Sequence, residues 1–325
     1  MSQPVLDIRG LSLHFDTPAG PVHALRNVDI AVPRGEIIGV VGESGSGKST
    51  VALAVLRLLA GNARVTSGAI HFDGKDLLTL SDEAMQDLRG RRIAMVFQDP
   101  MTSLNPVRSI GQQMVDIQYR GTAPAGEKRR RAAAALQRVG IPDAERQLDN
   151  YSFQFSGGMR QRIAIAMALL QRPEVLIADE VTTALDVTLE AQILDLLREL
   201  RGEIDGSILF ISHNLGAIAE ICDHVVVLYA GEVVERGPIG DIFNRPAHPY
   251  TRALIACDPA RIGIATKELP VIAGDVPNLR VIPGGCIFAP RCGVALAKCA
   301  SERPGDYACG ENHVARCHLL GGGDA

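Results

Sequence analysis

The octapeptide Gly42-Glu43-Ser44-Gly45-Ser46-Gly47-Lys48-Ser49 limits the fold of this chain more than any other stretch. It fits G-x-x-x-x-G-K-[ST] at every position. Ahead of it, Ile37 to Val41 is an apolar run of the kind a buried parallel strand shows. Behind it, Val51 to Leu59 is rich in Ala and Leu and predicts a helix. A strand, a glycine loop and a helix in this order turn several backbone N–H groups and a helix N-terminus toward one anion. Lys48 is then expected to reach the β- and γ-phosphates of a nucleoside triphosphate. The Ser49 hydroxyl would ligate Mg²⁺, and Thr50 would complete the cradle.

At 325 residues the chain has room for one large domain and a smaller one, or two of medium size. Hydrophobic residues at 46% and charged residues at 22% describe an ordinary globular protein with a sizeable core. The net charge of −4 argues against a general nucleic-acid binder. Tryptophan is absent and aromatics are 4%, which also disfavours stacking on single strands. No apolar run approaches the roughly 18 residues of a spanning helix, and the N-terminus lacks a signal-peptide pattern. A cytosolic protein is expected, with any membrane role carried by a partner.

Residues 5 to 32 alternate polar and apolar around Pro18-Ala19-Gly20, predicting an antiparallel hairpin. A second hairpin is expected over Ser67 to Gly74, ending in an Asp-Gly turn. Met85 to Arg92 reads as a short helix before the strand Ile93 to Phe97. From Gln98 to about Gln171 the composition is helical, with a helix from Glu127 toward Gly140 and Pro142 as a stop signal. The charges Glu127 to Arg131 read as a solvated helix face. Strands return at Val175 to Ala178 and Ile208 to Ile211, separated by a helix from Leu189 to Arg201. Val225 to Tyr229 and Glu232 to Glu235 read as a hairpin across Ala230-Gly231. From about Pro246 the character shifts to proline, glycine and cysteine, and a domain boundary is placed near residue 255.

Two further constellations narrow the chemistry. Val175-Leu176-Ile177-Ala178 runs into Asp179-Glu180; an acid at the tip of a buried parallel strand can serve Mg²⁺, and Glu180 could polarise an attacking water. Phe155-Ser156-Gly157-Gly158-Met159-Arg160-Gln161-Arg162 opens an Ala-rich helix. Here the chain resembles the ATP-binding cassette family, whose signature is a serine and two glycines opening a helix. Gln98 matches the family's Q-loop glutamine, Ala184-Leu185-Asp186 its D-loop and His213 its switch histidine, so the motifs cover roughly residues 10 to 240 in the family's order.

The resemblance implies an α/β fold: a RecA-like P-loop core, an antiparallel β-subdomain and a helical subdomain at about 99–171. The nucleotide-binding domain would occupy 1–255 and a small Cys-rich C-terminal domain 256–325. It further implies that cassettes pair head to tail, so that ATP on one phosphate loop meets Ser156, Gly157 and Gly158 of the opposite subunit, with Asp186 nearby. Glu180 would activate water, His213 would hold it and the γ-phosphate in line, and Gln98, with Ser49 and Asp179, would serve Mg²⁺. Phe15 is the nearest candidate for an adenine platform, with His23 as runner-up.

Gln98-Asp99-Pro100-Met101-Thr102-Ser103-Leu104-Asn105-Pro106 and Thr182 to Thr188 look like dipeptide and oligopeptide importers. So do His248-Pro249-Tyr250-Thr251 and the tail from Val276-Pro277 to Cys317. That resemblance implies an ATPase beneath two membrane permeases, on the cytoplasmic face, with a second cassette and a separate extracytoplasmic substrate-binding protein. Dipeptide, oligopeptide, glutathione and nickel stay open as cargo. A soluble cassette ATPase of DNA repair, or an accessory subunit of a metabolic enzyme complex, is the alternative; residues 99 to 150 leave no room for the long insertions of repair ATPases.

Three positions depart from the pattern. Val181 replaces a proline after the catalytic glutamate, Asn214 an aspartate after the switch histidine, and Ser152-Phe153 a Pro-His pair. None removes a catalytic group, and slower hydrolysis at most is expected from Val181. Of the seven cysteines, five lie between Cys286 and Cys317. Cys286, Cys292, Cys299 and Cys317, spaced x5, x6 and x17 with Cys309 as a spare, suit a [4Fe–4S] cluster or Zn²⁺. A metal staple is the expected stabiliser of a tail of about seventy residues with little apolar content.

Overall fold

The computed structural model describes residues 3–99, 103–182, 187–204, 206–258 and 270–321. Its strands, in chain order, are β1 (Leu6–Phe15), β2 (Val22–Val32), β3 (Ile37–Val41), β4 (Ala63–Phe72), β5 (Lys75–Asp76) and β6 (Ile93–Val96). They continue with β7 (Val175–Asp179), β8 (Ser207–Ile211), β9 (His224–Tyr229), β10 (Glu232–Pro238), β11 (Tyr307–Gly310) and β12 (His313–Ala315). The helices used below are α1 (Lys48–Val55), α2 (Asp82–Leu88), α3 (Ile110–Asp116), α4 (Ala125–Arg138), α5 (Gly157–Leu169) and α6 (Val187–Ile204). They end with α7 (Leu215–Ile221), α8 (Ile239–Asn244) and α9 (Pro249–Ala256). The chain divides into two compact units, one of residues 1–33, 37–79 and 211–325, the other of 34–36 and 80–210.

In the first unit, β2, β1, β4 and β5 form an antiparallel sheet in that order. β1 alternates buried and half-buried positions, as a strand with one covered face must, and pairs Leu6 with Val32 on one side and with Phe72 on the other. The turn into β5 is Asp73-Gly74, both with positive φ, the backbone a two-residue hairpin needs. A second run of strands is ordered β11, β12, β10, β9, β3. β3 is buried at every residue and lies parallel to β9, while β9 turns into β10 over Ala230-Gly231.

The C-terminal residues are built into this unit. β12 pairs antiparallel with β10, placing Glu235 opposite Ala315. Glu235 is fully buried there; its carboxylate accepts from the N–H groups of Ala247 and His248 and meets His313 Nε2 at 2.7 Å. Phe288, 3% exposed, packs within 5.2 to 5.8 Å of the rings of Tyr229, Tyr250 and His248. Such aromatic contacts are worth about 0.5–1.5 kcal/mol each beyond their buried area.

In the second unit the strand order is β8, β7, β6, with β6 parallel to β7. α4 carries its basic residues outward and buries Ala132 and Leu136, so the charge run is a solvated face as expected. Two of the boundaries that differ from the sequence reading have a local cause. α2 begins at Asp82 because Ser81 caps it, its side chain accepting from Ala84 N–H, and it ends at Leu88. α1 stops at Val55, and Arg57 at φ 51° turns the chain before Leu59.

Candidate nucleotide-binding and hydrolysis site

The phosphate loop leaves β3 through Gly42 at φ 154° and enters α1 through Gly47 at φ 104°. A Cβ on Gly42 would lie 2.0 Å from the Leu228 carbonyl oxygen, and one on Gly47 2.7 Å from Leu25 Cδ2. Neither position has space for a side chain, so the motif's glycines follow from close approach as well as from backbone angle. Ser46 N–H donates to the Glu43 carbonyl at 3.1 Å, which closes the loop. Lys48 Nζ donates to the carbonyls of Gly42 and Glu43 at 2.8 and 3.0 Å, holding its ammonium over the loop.

Ser46 Oγ is buried and has no hydrogen-bond partner among the described residues. A buried hydroxyl of this kind calls for an acceptor or donor from a bound group. Ser44 and Gly45 are exposed, and Ser49 and Thr50 are half-buried in the first turn of α1. Exposed loop amides, a buried cation and a helix N-terminus together fit a polyphosphate.

The same unit holds His213, exposed just after β8, and Asn214, the N-cap of α7. Asn214 Oδ1 accepts from the N–H groups of Gly216 and Ala217 at 2.9 and 3.3 Å, and its own N–H donates to Ser212 Oγ at 3.0 Å. An asparagine thus performs the capping an aspartate would perform, which accounts for that departure. Phe15 is half-buried at the end of β1. The His23 ring lies 5.7 Å from that of His14, and burial, His14 and Arg26 push its pKa down.

The second unit gathers the acids. Asp179 ends β7 at 4% exposure, and Glu180 follows with φ 49°, a left-handed backbone costing a non-glycine residue about 1–2 kcal/mol. Gln98 Nε2 donates to Glu180 Oε2 at 2.7 Å. Spacing alone did not reveal that contact, since 82 residues separate the two. Val181 is buried at 2% exposure. Ser156 caps α5, its hydroxyl accepting from Met159 N–H at 3.3 Å; Ser156 and Gly157 are exposed and Gly158 is buried. The departure Ser152-Phe153 forms a short 3₁₀ turn whose carbonyls accept from Arg160 at 2.7 and 3.3 Å. Asp186, with Ala184 and Leu185, lies outside the described residues, as do Pro100, Met101 and Thr102.

Beside Gln98 the second unit carries a groove of about 320 Å³, lined by Met95, Phe97, Leu104, Ile117, Tyr119 and Met167 among others. Phe97 and Tyr119 are exposed large apolar side chains there. The sequence reading did not bring these residues together, because they come from four separated stretches.

The cysteine expectation meets a different picture. Among the described residues, no group of three or more His, Cys, Asp or Glu side chains is arranged to hold a metal ion. All seven cysteines are free thiols. Cys286 is pushed up to about 11, chiefly by burial, with Cys299 and Cys317 adding to the rise. Burial likewise raises Cys317, with Cys292 and Cys299 contributing. Cys286 and Cys317 are therefore held above the ordinary thiol range, with Cys292 and Cys299 among the neighbours that contribute. The tail is also tied into its unit by strand pairing to β10, the Phe288 cluster and the buried Glu235.

Residues 25–183 match the ABC transporter family model, and residues 234–299 match the oligopeptide/dipeptide transporter C-terminal region. A Brucella ovis protein bearing a peptide import ATP-binding name is 48% identical, with 97% of each chain aligned. The chain belongs to the ABC transporter family. Another relative, "Probable D,D-dipeptide transport ATP-binding protein DdpD" of Escherichia coli, is 46% identical over 98% of this chain and 96% of its own. Among solved structures, the dimeric ATP-binding cassette MJ0796 bound to ADP and Pi aligns with a TM-score of 0.65 at 27% identity, covering 72% of this chain and 98% of that one. The CbiO1 cassette of Clostridium perfringens aligns with the same TM-score at 30% identity, over 75% of this chain and 92% of its own. The fold is therefore that of an ATP-binding cassette, and the activity is ATP hydrolysis.

Proposed function

We propose that this ABC ATPase powers the import of di- or oligopeptides through a pair of membrane permeases. The match of residues 234–299 to the oligopeptide/dipeptide transporter C-terminal region carries the cargo class, supported by relatives named for peptide and D,D-dipeptide transport. No described helix is long and apolar enough to cross a membrane. Relatives named as import ATP-binding proteins support a peripheral place beneath the permeases, on the cytoplasmic face. The division of labour would be a nucleotide-binding domain at 1–255 and a C-terminal domain at 256–325.

In this reading residues 42–50 hold the ATP phosphates, with Lys48 turning from the loop carbonyls to the β- and γ-oxygens. Ser49, Asp179 and Gln98 would hold Mg²⁺, which would supply positive charge beside the β- and γ-phosphates. A second cassette, identical or related, presents its own Ser156, Gly157 and Gly158, so that the serine hydroxyl and the α5 dipole clamp the γ-phosphate. Asp186 would line that seam, and Phe15 would support the adenine. Glu180 takes a proton from the attacking water, and His213 aligns it.

Gln98 touches Glu180 on one side and follows Phe97 of the apolar groove on the other. A cytoplasmic permease helix seated in that groove would press on the residue that holds the catalytic acid. Cargo delivery by an extracytoplasmic binding protein would reach the ATPase by this route.

Cys286, Cys292, Cys299 and Cys317 remain our proposed holders of a [4Fe–4S] cluster or Zn²⁺, supported by four sulfur donors near one another, with Cys299 acting on Cys286 and Cys292 on Cys317. Loading requires loss of the thiol protons, and the bound ion would tie the tail together. Anaerobic purification of the tagged chain from its native membranes tests both claims. Two polytopic permeases, a second cassette and stoichiometric iron or zinc are expected. Recovery with soluble partners alone contradicts the transporter reading, and metal-free protein with all thiols titratable contradicts the metal.

A further inference from the structure

Glu43, the residue after Gly42 in the phosphate loop, has every polar group engaged. Its N–H donates to Tyr250 Oη at 2.9 Å, and its carbonyl accepts from Ser46 N–H and Lys48 Nζ. Its carboxylate is gripped from the C-terminal segment: Arg291 Nη1 donates to Oε2 at 2.7 Å and Nη2 to Oε1 at 3.1 Å. This is the two-pronged geometry in which arginine binds carboxylate most selectively.

Arg291 is built for that place. Its side chain is 4% exposed, against 27% for Glu43. The remaining N–H groups go to the carbonyls of Ile272 and Ala273 at 2.9 and 3.0 Å and to Tyr229 Oη at 3.3 Å, so all five donors are used. A buried guanidinium with a full set of partners is fixed in position, unlike a surface pair that trades freely with water. Tyr250, fully buried in α9, comes from the His248-Pro249-Tyr250-Thr251 stretch, which the hydrolysis mechanism leaves without a task.

The chemistry of the loop explains why the pairing matters. A polyphosphate carries several negative charges, and a bare carboxylate on the loop that wraps it repels the ligand. Glu43 is tolerable there when its charge is matched and its backbone N–H is held still. We propose that Arg291 is a positioning residue of the nucleotide site: it neutralises and anchors Glu43, which makes the C-terminal segment part of the ATP-binding apparatus. The proposal rests on residues 42–49 being the ATP loop.

Titration of a fluorescent ATP analogue into the full chain, with a thermal melt on each variant, tests it. Arg291→Gln is expected to bind about fivefold to tenfold more weakly than the parent, because the Glu43 charge is released beside the phosphates. The double variant Glu43→Gln/Arg291→Gln is expected to recover to within about twofold, since the repelling charge is then gone. A merely structural bridge would show no such rescue. Should Arg291→Gln fail to fold, Glu43→Gln alone decides the matter: it leaves the guanidinium unpaired near the phosphates and binds more tightly. Unchanged binding by Arg291→Gln, a double variant as weak as the single, or weaker binding by Glu43→Gln overturns the proposal. Lys48→Ala separates the two readings. If it binds as the parent does, the ATP-loop assignment itself has failed; if it loses binding while Arg291→Gln does not, only the role of Arg291 has.

Discussion

Glu180 combines a left-handed backbone at φ 49° with a short bond from Gln98, and both hold its carboxylate in place for the base role proposed for it. Strain of this kind persists only where surrounding structure enforces it. Glu180→Gln keeps the shape and the bond to Gln98 but cannot take a proton. Hydrolysis is expected to fall about 100-fold or more while ATP still binds, as measured by phosphate release beside nucleotide titration. A variant retaining a tenth of the parent rate would move the base elsewhere. The phosphate loop was legible residue by residue, because Gly42 and Gly47 are required by contacts and angles that only glycine allows. Arg291 was not legible: it pairs with a residue 248 positions away, and no local pattern announces it.

Elements were predictable where periodicity and turn chemistry agreed. The β1–β2 and β9–β10 hairpins, buried β3, β7 and β8, and α4 each carry a strong pattern and a stop signal. The short α8 and α9 and strands β11 and β12 carry neither, since their residues are fixed by packing on β10 and around Phe288. α7 depends on its cap. Asn214→Ala is expected to cost about 1 kcal/mol and to slow hydrolysis by loosening the adjacent His213, whereas Asn214→Asp keeps both. Thermal melts read with phosphate-release rates check this; an alanine variant equal to the parent would remove the cap from the account.

α9 offers a pH test. His248 caps it by accepting Tyr250 N–H through Nδ1 at 3.0 Å, and burial, with Arg252 adding, pushes its pKa down to about 4 from 6.5. The folded state therefore holds His248 neutral while the unfolded chain protonates first as pH falls. Its contribution is complete above pH 6.5 and is lost between 6.5 and 4. His248→Asn supplies an acceptor that does not titrate, so stability measured by denaturant melts across that window should fall less steeply than in the parent. An equal slope in both proteins would assign the acid sensitivity to other groups.

At the scale of the molecule, the C-terminal residues share a compact unit with the phosphate loop. Composition suggested an appended tail because proline, glycine and cysteine accumulate there. Burial shows a different balance: Phe288, Ala315 and His313 are inside, and β12 lengthens the run that begins at β3. Counting apolar residues within the tail alone leaves out the surface it buries against the rest of its unit, which adds to whatever a metal would contribute. The sequence could not display that surface, since it is shared by residues as much as 289 positions apart, such as Asn27 and Arg316.

Peptide import driven by this ATPase can be measured as uptake by the reconstituted complex. The permeases and both cassettes would be placed in vesicles loaded with ATP and Mg²⁺, with the substrate-binding protein and a labelled di- and oligopeptide mixture outside. Peptide should accumulate inside only with hydrolysable ATP, and Glu180→Gln should abolish accumulation. Steady ATP hydrolysis by the complete assembly without uptake of any peptide would contradict the account.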